Sequence, residues 1–330
     1  MTTKQPSPTL SRRHFLQITA VASTVFLGGR WIQRLVKQPT AVHQTRLLMG
    51  TIINLTLVGE DTAQSQQALA ATFAEMERLI ALFNWRQPGS ALATLNQTGQ
   101  LANPPQELVE LLQAAYHFSS LSDGAFDVTI QPLVEAIRIG TDTSAARQLV
   151  DYRQLQISPN KISLAPGMQL TLDGIAKGQV VDGATAVLQT YGFTNVLVEA
   201  GGDLVANGQR ADGQSWRLGI THPRQPASTL QVLPVTGKAV ATSGDYQHSF
   251  SQDFSRHHIV DPRTGESPTE LASVTVLAPT AAAADALSTA VMVLGTDAGL
   301  ALIDQLPGTA ALLVTKEMQL KRSAHFPAVL

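Results

Sequence analysis

The chain has 330 residues, 44% of them apolar and 15% charged, which is enough for two domains or one large domain with a tail and too apolar for a disordered protein. Its 23 basic and 25 acidic residues give a net charge of −2, so electrostatics offers no basis for nucleic acid or an anionic membrane surface as the main partner. Cysteine is absent, which excludes disulfides, thiolate metal sites, a cysteine nucleophile and a lipidated cysteine anchor.

Residues 1–40 read as an address rather than a fold. Arg12 and Arg13 are followed by Phe15 and Leu16, then by a mild apolar run from Ile18 to Gly29. A run of about a dozen residues is too short to span a ~30 Å hydrocarbon layer as a stable helix. With Arg30, Arg34 and Lys37 just beyond it, the segment resembles a twin-arginine export signal, the route for proteins that cross a membrane already folded. No clear small-x-small cleavage site follows, so cleavage near residue 40 and retention as an inner-membrane tether both stay open. The resemblance implies a periplasmic protein whose functional domain occupies residues 41–330.

Residues 47–58 are β-branched and apolar, carry no charge and end in a Gly-Glu-Asp turn, which predicts one strand. Over 63–83, Leu69, Phe73, Met76, Ile80 and Phe83 recur at helical spacing, and a second helix is predicted from Pro105 to Leu121. Residues 86–104 read as a polar loop and 138–168 as an irregular surface excursion. Strands are predicted at 169–173, 195–200, 216–220, 230–235, 239–243, 272–278 and 310–315, and helices at 176–191, 280–294 and 297–306. Strands and helices do not alternate strictly. That favours an α+β fold, mixed or antiparallel sheets packed with helices in one two-lobed unit, over a doubly wound sheet.

Several short motifs carry chemistry. Asp285 and Thr289 lie at i and i+4 of one predicted helix, so their side chains share a face one turn apart. Both are hard oxygen ligands of the kind Mg²⁺ prefers. Such a pair is ordinary on a solvated helix, but Ala281–Ala284 and Ala290–Leu294 flank it here, and a carboxylate buried in so apolar a helix must be paired or coordinated. The run Leu172-Asp173-Gly174-Ile175-Ala176-Lys177-Gly178 reads as a strand end, a tight turn at Gly174 and a helix start. Free backbone groups at such a junction meet phosphate or metal, and Lys177 adds a positive charge, although GxxxxGK[ST] is missing. Ser122–Thr129, Gly201-Gly202-Asp203, Thr242-Ser243-Gly244-Asp245-Tyr246 and His257–Gly265 are each common turn chemistry when taken singly. Among them His258 is expected to titrate near neutral pH.

In their order these motifs resemble one family. Met49-Gly50-Thr51, Gly124-x-Phe126-Asp127-x-Thr129, Gly174–Gly178, Gly201-Gly202-Asp203, Thr242–Tyr246, His258-Ile259-Val260-Asp261-Pro262-x-Thr264-Gly265 and Asp285-Ala286-Leu287-x-Thr289 are similar to the ApbE family over roughly residues 47–315. These are the FAD:protein FMN transferases. The resemblance implies a two-lobed unit with a flavin cleft. It also implies a Mg²⁺-dependent enzyme that moves FMN from FAD to a threonine hydroxyl of an acceptor protein and releases AMP. Met49, Trp85, Ala125, Phe126, Asp127, Thr171, Asp173, Lys177, His258 and Ile259 are then expected at the FAD. The metal is expected on the Asp285 carboxylate, Thr289, Ser288 through its backbone, and the Gly174 carbonyl. His258 is the first candidate for the base that activates the acceptor hydroxyl, and Asp245 the second.

Two departures from the family pattern stand out. Thr171 occupies a position where the family commonly has Asp, which puts the FAD contact there in doubt, and the lipidation cysteine of many relatives is missing. Asp182-Gly183-Ala184-Thr185 looks like the acceptor sequence itself, so self-modification at Thr185 is a question for the structure. The same site with water in place of threonine gives an FAD pyrophosphatase yielding FMN and AMP. Without catalysis it gives an FAD-binding maturation protein of a periplasmic redox system.

Overall fold

Strand β1 (Ala41–Leu48) turns at Met49-Gly50 and returns as β2 (Thr51–Val58), with Leu48 opposite Thr51. The one strand expected over 47–58 is therefore a hairpin. Both turn residues hold left-handed backbone, φ +53° at Met49 and +72° at Gly50, as a two-residue hairpin loop requires. The computed structural model describes residues 40–330; the export-signal reading falls on residues 1–39, outside the described residues.

Helix α1 (Ala63–Phe83) follows the predicted stripe and starts on a capping box in which Thr62 and Ser65 satisfy each other's backbone donors. The expected polar loop contains α2 (Ala91–Thr98), capped by the Ser90 side chain and ended by Gly99, and strand β3 (Gln100–Ala102). Only Leu92 and Leu95 of this helix are buried, too short an apolar signal to separate from a loop. Helix α3 (Gln106–Leu121) lies as predicted. The excursion expected over 138–168 follows α4 (Gln131–Ile139) and contains α5 (Ser144–Arg147), a 3₁₀ turn at Tyr152–Gln154 and strands β4 (Gln156–Ile157) and β5 (Lys161–Ser163). Strands β3, β5 and β4 form a small antiparallel sheet.

Residues 169–173 are not a named strand. Gln169 bridges Ile130 and the Thr171 N–H donates to the Val128 carbonyl at 2.9 Å, but the pairing goes no further. Both backbone groups of Leu170 go to the Asn96 side chain, which donates to the carbonyl at 2.8 Å and accepts from the N–H at 2.7 Å. Helix α6 (Ala176–Thr190) follows. Then come β6 (Val196–Ala200), the unpredicted β7 (Asp203–Asn207), β8 (Trp216–His222), β9 (Gln225–Val235), β10 (Lys238–Gly244) and β11 (Leu271–Ala278). The chain ends with α7 (Ala281–Leu294), α8 (Thr296–Gln305), β12 (Ala310–Thr315) and β13 (Leu320–Arg322).

The main sheet has eight strands in the order β1-β2-β6-β7-β10-β11-β12-β13, every neighbouring pair antiparallel. Helices α1, α6 and α7 pack side by side, with α6 against β6 and β7 and α7 against β10 and β11. Their shared core includes Ile53, Leu55, Phe73, Val181 and Ala286. Each of the first four, a large and fully buried side chain, contributes about 1.5–3 kcal/mol relative to exposure. The β8–β9 hairpin packs Trp216, Leu218 and Leu233 against Leu204, Val240 and Leu312 of the sheet. An α+β fold of antiparallel sheets with helices is what the element order implied.

Candidate active site

The N-termini of α6 and α7 meet at one end of the sheet. Helix α7 is apolar on nearly every side, which is the composition of a buried helix, and the carboxyl of Asp285 is buried with it. Asp285 Oδ2 accepts the Gly178 N–H at 3.1 Å. Lys177, the residue before, forms an ion pair with the buried Asp203 at the start of β7. Burial holds both carboxyls above the ordinary carboxylate range, and the neighbouring charge of Asp285 pushes Asp203 up further. Burial alone would lower Lys177, but Asp203 and then Asp285 outweigh it and raise its pKa. With both acids ionised the trio carries one negative charge too many for a buried site. An added cation relieves that imbalance.

The hydroxyls lie one turn further along α7. Ser243 on β10 hydrogen-bonds the Ser288 hydroxyl at 2.8 Å and the Thr289 hydroxyl at 3.3 Å, and Ser288 donates to the Asp285 carbonyl. Gly174 faces Thr289 so closely that a Cβ there would lie 3.2 Å from Thr289 Oγ1 and 3.2 Å from the Phe126 ring. Gly174, Asp285, Ser288 and Thr289 thus come together, and every donor they offer is oxygen. Among the described residues no group of three or more His, Asp or Glu gathers to hold a metal. One carboxylate with hydroxyls and carbonyls suits Mg²⁺, which keeps waters, better than Zn²⁺.

Asp182 anchors this junction. Its two carboxylate oxygens accept the N–H groups of Ala281 and Ala282 at 2.8 and 2.9 Å, capping α7 from α6. Burial raises its pKa to about 6 against the pull of those two donors, and the charge of Asp285 adds to the rise. The acceptor-like Thr185, one turn along α6, is buried and donates to the Val181 carbonyl at 2.8 Å. A hydroxyl buried and engaged in this way is not placed to act as an acceptor.

The residues expected at the flavin are placed differently. Met49 is exposed at the hairpin tip, where Gly201 donates to the Ile52 carbonyl two residues before Asp203. Trp85 is half-buried with its indole N–H unpartnered. Ala125, Phe126 and Ile259 are buried. Asp127 also lies there, but its carboxylate is spent on the fold: it accepts from Thr129 N and Oγ1 at 2.8 and 2.7 Å and from Tyr152 N at 3.0 Å. Burial nevertheless raises its pKa. Thr171 is nearly buried, and its hydroxyl accepts the Asp173 N–H at 3.2 Å. Asp173 points to solvent and pairs with Arg86.

The two base candidates differ. His258 is pushed down to about 4 by burial, with His248 and His257 adding to the drop, so the expectation of titration near neutral pH is corrected. Its ring packs edge-on to His248, and Nδ1 has no partner. The ring is neutral at neutral pH. Asp245 is fully buried and accepts two Arg224 donors at 2.7 Å each and the Lys316 ammonium. Lys316 also donates to the Phe254 carbonyl, and Arg224 stacks on the Phe254 ring. A carboxylate held by two cations is no base; Asp245 fastens the loop that leads to His258. The sequence reading missed the carboxyl of Asp203, the Asp182 cap, Ser243, and the Arg224 and Lys316 partners. Ser243 and Asp203 sat inside motifs, whereas Arg224 and Lys316 carry no local signal.

The model of the ApbE family matches residues 49–313. The FAD:protein FMN transferase of Vibrio cholerae is 31% identical over 308 residues, covering 87% of this chain and 90% of its own. That of Treponema pallidum is 32% identical over 317 residues, covering 85% and 86%. The solved structure of the flavin transferase ApbE from Vibrio cholerae superposes with a TM-score of 0.78 at 29% identity, covering 88% of this chain and all of the other.

Proposed function

The chain belongs to the ApbE family, and we propose that its cleft transfers the FMN part of FAD to a threonine hydroxyl of an acceptor protein, with Mg²⁺ held at the α6–α7 junction. The observation that carries the site is the meeting of Asp285 with Lys177, Gly178 and Asp203 one helical turn from Thr289.

Asp285, Thr289 and the Gly174 and Ser288 backbone would hold the metal. Bound there, Mg²⁺ supplies charge neutralisation on the pyrophosphate oxygens. In the transfer the acceptor oxygen forms a bond to the FMN phosphorus, and the bond from that phosphorus to the bridging oxygen breaks. The electron pair of that bond leaves with AMP. His258, neutral at neutral pH, takes the hydroxyl proton. Trp85 and Phe126 offer aromatic faces to the flavin or adenine. An acceptor on the outer side of the inner membrane follows if residues 1–40 act as the export signal they resemble.

The test mixes full-length protein, FAD, Mg²⁺ and a candidate acceptor that carries a threonine motif. Flavin fluorescence that stays with the denatured acceptor supports the proposal. Free FMN with an unlabelled acceptor means that water is the nucleophile, and unchanged FAD means a binding protein; either result overturns it.

A further inference from the structure

Most cations around the cleft are already engaged. Lys177 is held by Asp203, Arg224 and Lys316 by Asp245, and Arg263 by Asp261, which it meets with two donors at 2.8 Å. Arg86 is bound differently. Its guanidinium meets Asp173 at 3.2 and 3.4 Å, long for a charge-assisted pair, and both side chains are more than half exposed, 61% and 59%. Such a pair contributes little and exchanges easily. The same guanidinium lies 4.2 Å from the centre of the Trp85 ring, a cation–π contact with a residue expected at the flavin.

The location matters as much as the weakness. Asp173 precedes Gly174, the residue that abuts Thr289, so its carboxylate stands next to the residues that would hold the metal. An anionic side chain so placed repels the diphosphate of a dinucleotide. A cation parked on it is poised to take that diphosphate instead.

We propose that Arg86 is a diphosphate-binding residue, whose guanidinium leaves Asp173 for a phosphate of the dinucleotide while Trp85 keeps it in place. Asp173 is then the resting counter-ion of Arg86 rather than a direct contact to the flavin. The inference rests on the reading of the cleft as an FAD site.

The test is binding, read by quenching of flavin fluorescence on the full-length protein with Mg²⁺ and acceptor withheld. FAD is compared with riboflavin, which lacks phosphate. Arg86→Gln is expected to weaken FAD about tenfold and to leave riboflavin unchanged, since a charge-assisted contact is lost. Asp173→Asn is expected to tighten FAD, and that gain is expected to vanish in the Arg86→Gln background. An ion pair that only braces the fold predicts that both single variants move affinity the same way. Unchanged FAD affinity in Arg86→Gln, an equal gain from Asp173→Asn in both backgrounds, or wild-type protein that binds FAD no better than riboflavin overturns the inference. Wild-type protein that binds FAD tightly but labels no acceptor removes the transferase reading and leaves this comparison decisive.

Discussion

Gly178 and Asp285 touch where α6 and α7 begin: the glycine N–H donates to Asp285 Oδ2 at 3.1 Å, and a Cβ on that glycine would run into the Ala281 carbonyl. Alanine normally gains about 1 kcal/mol over glycine inside a helix. Here the collision is with backbone, which cannot rotate away, and overpacking of this kind costs about 1–3 kcal/mol. Gly178→Ala is therefore expected to lower stability on urea denaturation and to depress transfer further, because the Asp285 contact moves with the helix. A variant as stable as the wild type would show that the two helices separate freely.

Asp285→Ala removes one of two acids that share a buried site with a single lysine. Asp203 keeps Lys177 as its partner, so the fold is expected to survive. FMN transfer is expected to be lost, and EDTA is expected to stop the wild-type reaction until Mg²⁺ is restored. Wild-type rates in the variant with Mg²⁺ present would remove the metal site from this junction.

How far the sequence foretold this site depends on the range of each interaction. Asp285 and Thr289 were legible because one helix sets their spacing, and α1, α3, α6 and α7 because their apolar residues repeat over several turns. The break at Met49-Gly50 was hidden, since the turn adopts left-handed backbone at a methionine, a residue that gives no turn signal. The alternating segment 169–173 read as a strand because nothing local shows that its pairing stops at the short bridge to Ile130 and that Asn96, 74 residues away, takes the backbone groups of Leu170. Asp245 looked like a base for the same reason: its cations come from positions 224 and 316.

Asp182 makes stability depend on pH in an unusual direction. Its folded pKa, about 6, lies above the ordinary carboxyl value of 3.8, so the folded state binds more protons than the unfolded one between those two values. The contribution of this group is present in full below the unfolded pKa and is lost as pH rises through about 6. A rise of that size corresponds to roughly 3 kcal/mol at most. Relative to Asp182→Ala, the wild-type advantage in urea denaturation is expected to be larger at pH 4.5 than at pH 7. An advantage that grows with pH would contradict the burial of this acid.

Asp245→Asn leaves Arg224 and Lys316 side by side without a counter-charge. Removing one partner of a buried ion pair costs about 3–5 kcal/mol, and the solvent-facing parts of both cations place this site at the low end. The expected result is a clear drop in melting temperature, with faster proteolysis in the 246–257 loop once Phe254 loses its two anchors. Asp245→Glu, which keeps the charge, is expected to recover part of the loss. Equal damage from both substitutions would assign the role to side-chain shape rather than to charge.

His258 separates its two possible states by where the acid limb of the rate falls. As a base it must be neutral, and burial beside His248 and His257 lowers its pKa to about 4 from 6.5. The proton-free ring is then available throughout the neutral range, and kcat/KM, which reports the free enzyme, is expected to stay flat as pH falls from about 7.5 to 5.5 as far as this group is concerned. An exposed histidine would instead lose most of its activity across that interval. His258→Gln keeps a polar side chain but no base, and is expected to slow transfer by about 10²–10⁴ with FAD binding largely retained. A rate that halves near pH 6.5 in the wild type and loses that dependence in His258→Gln would mean that the ring titrates as if it were in water, and the buried, neutral base would have to be abandoned.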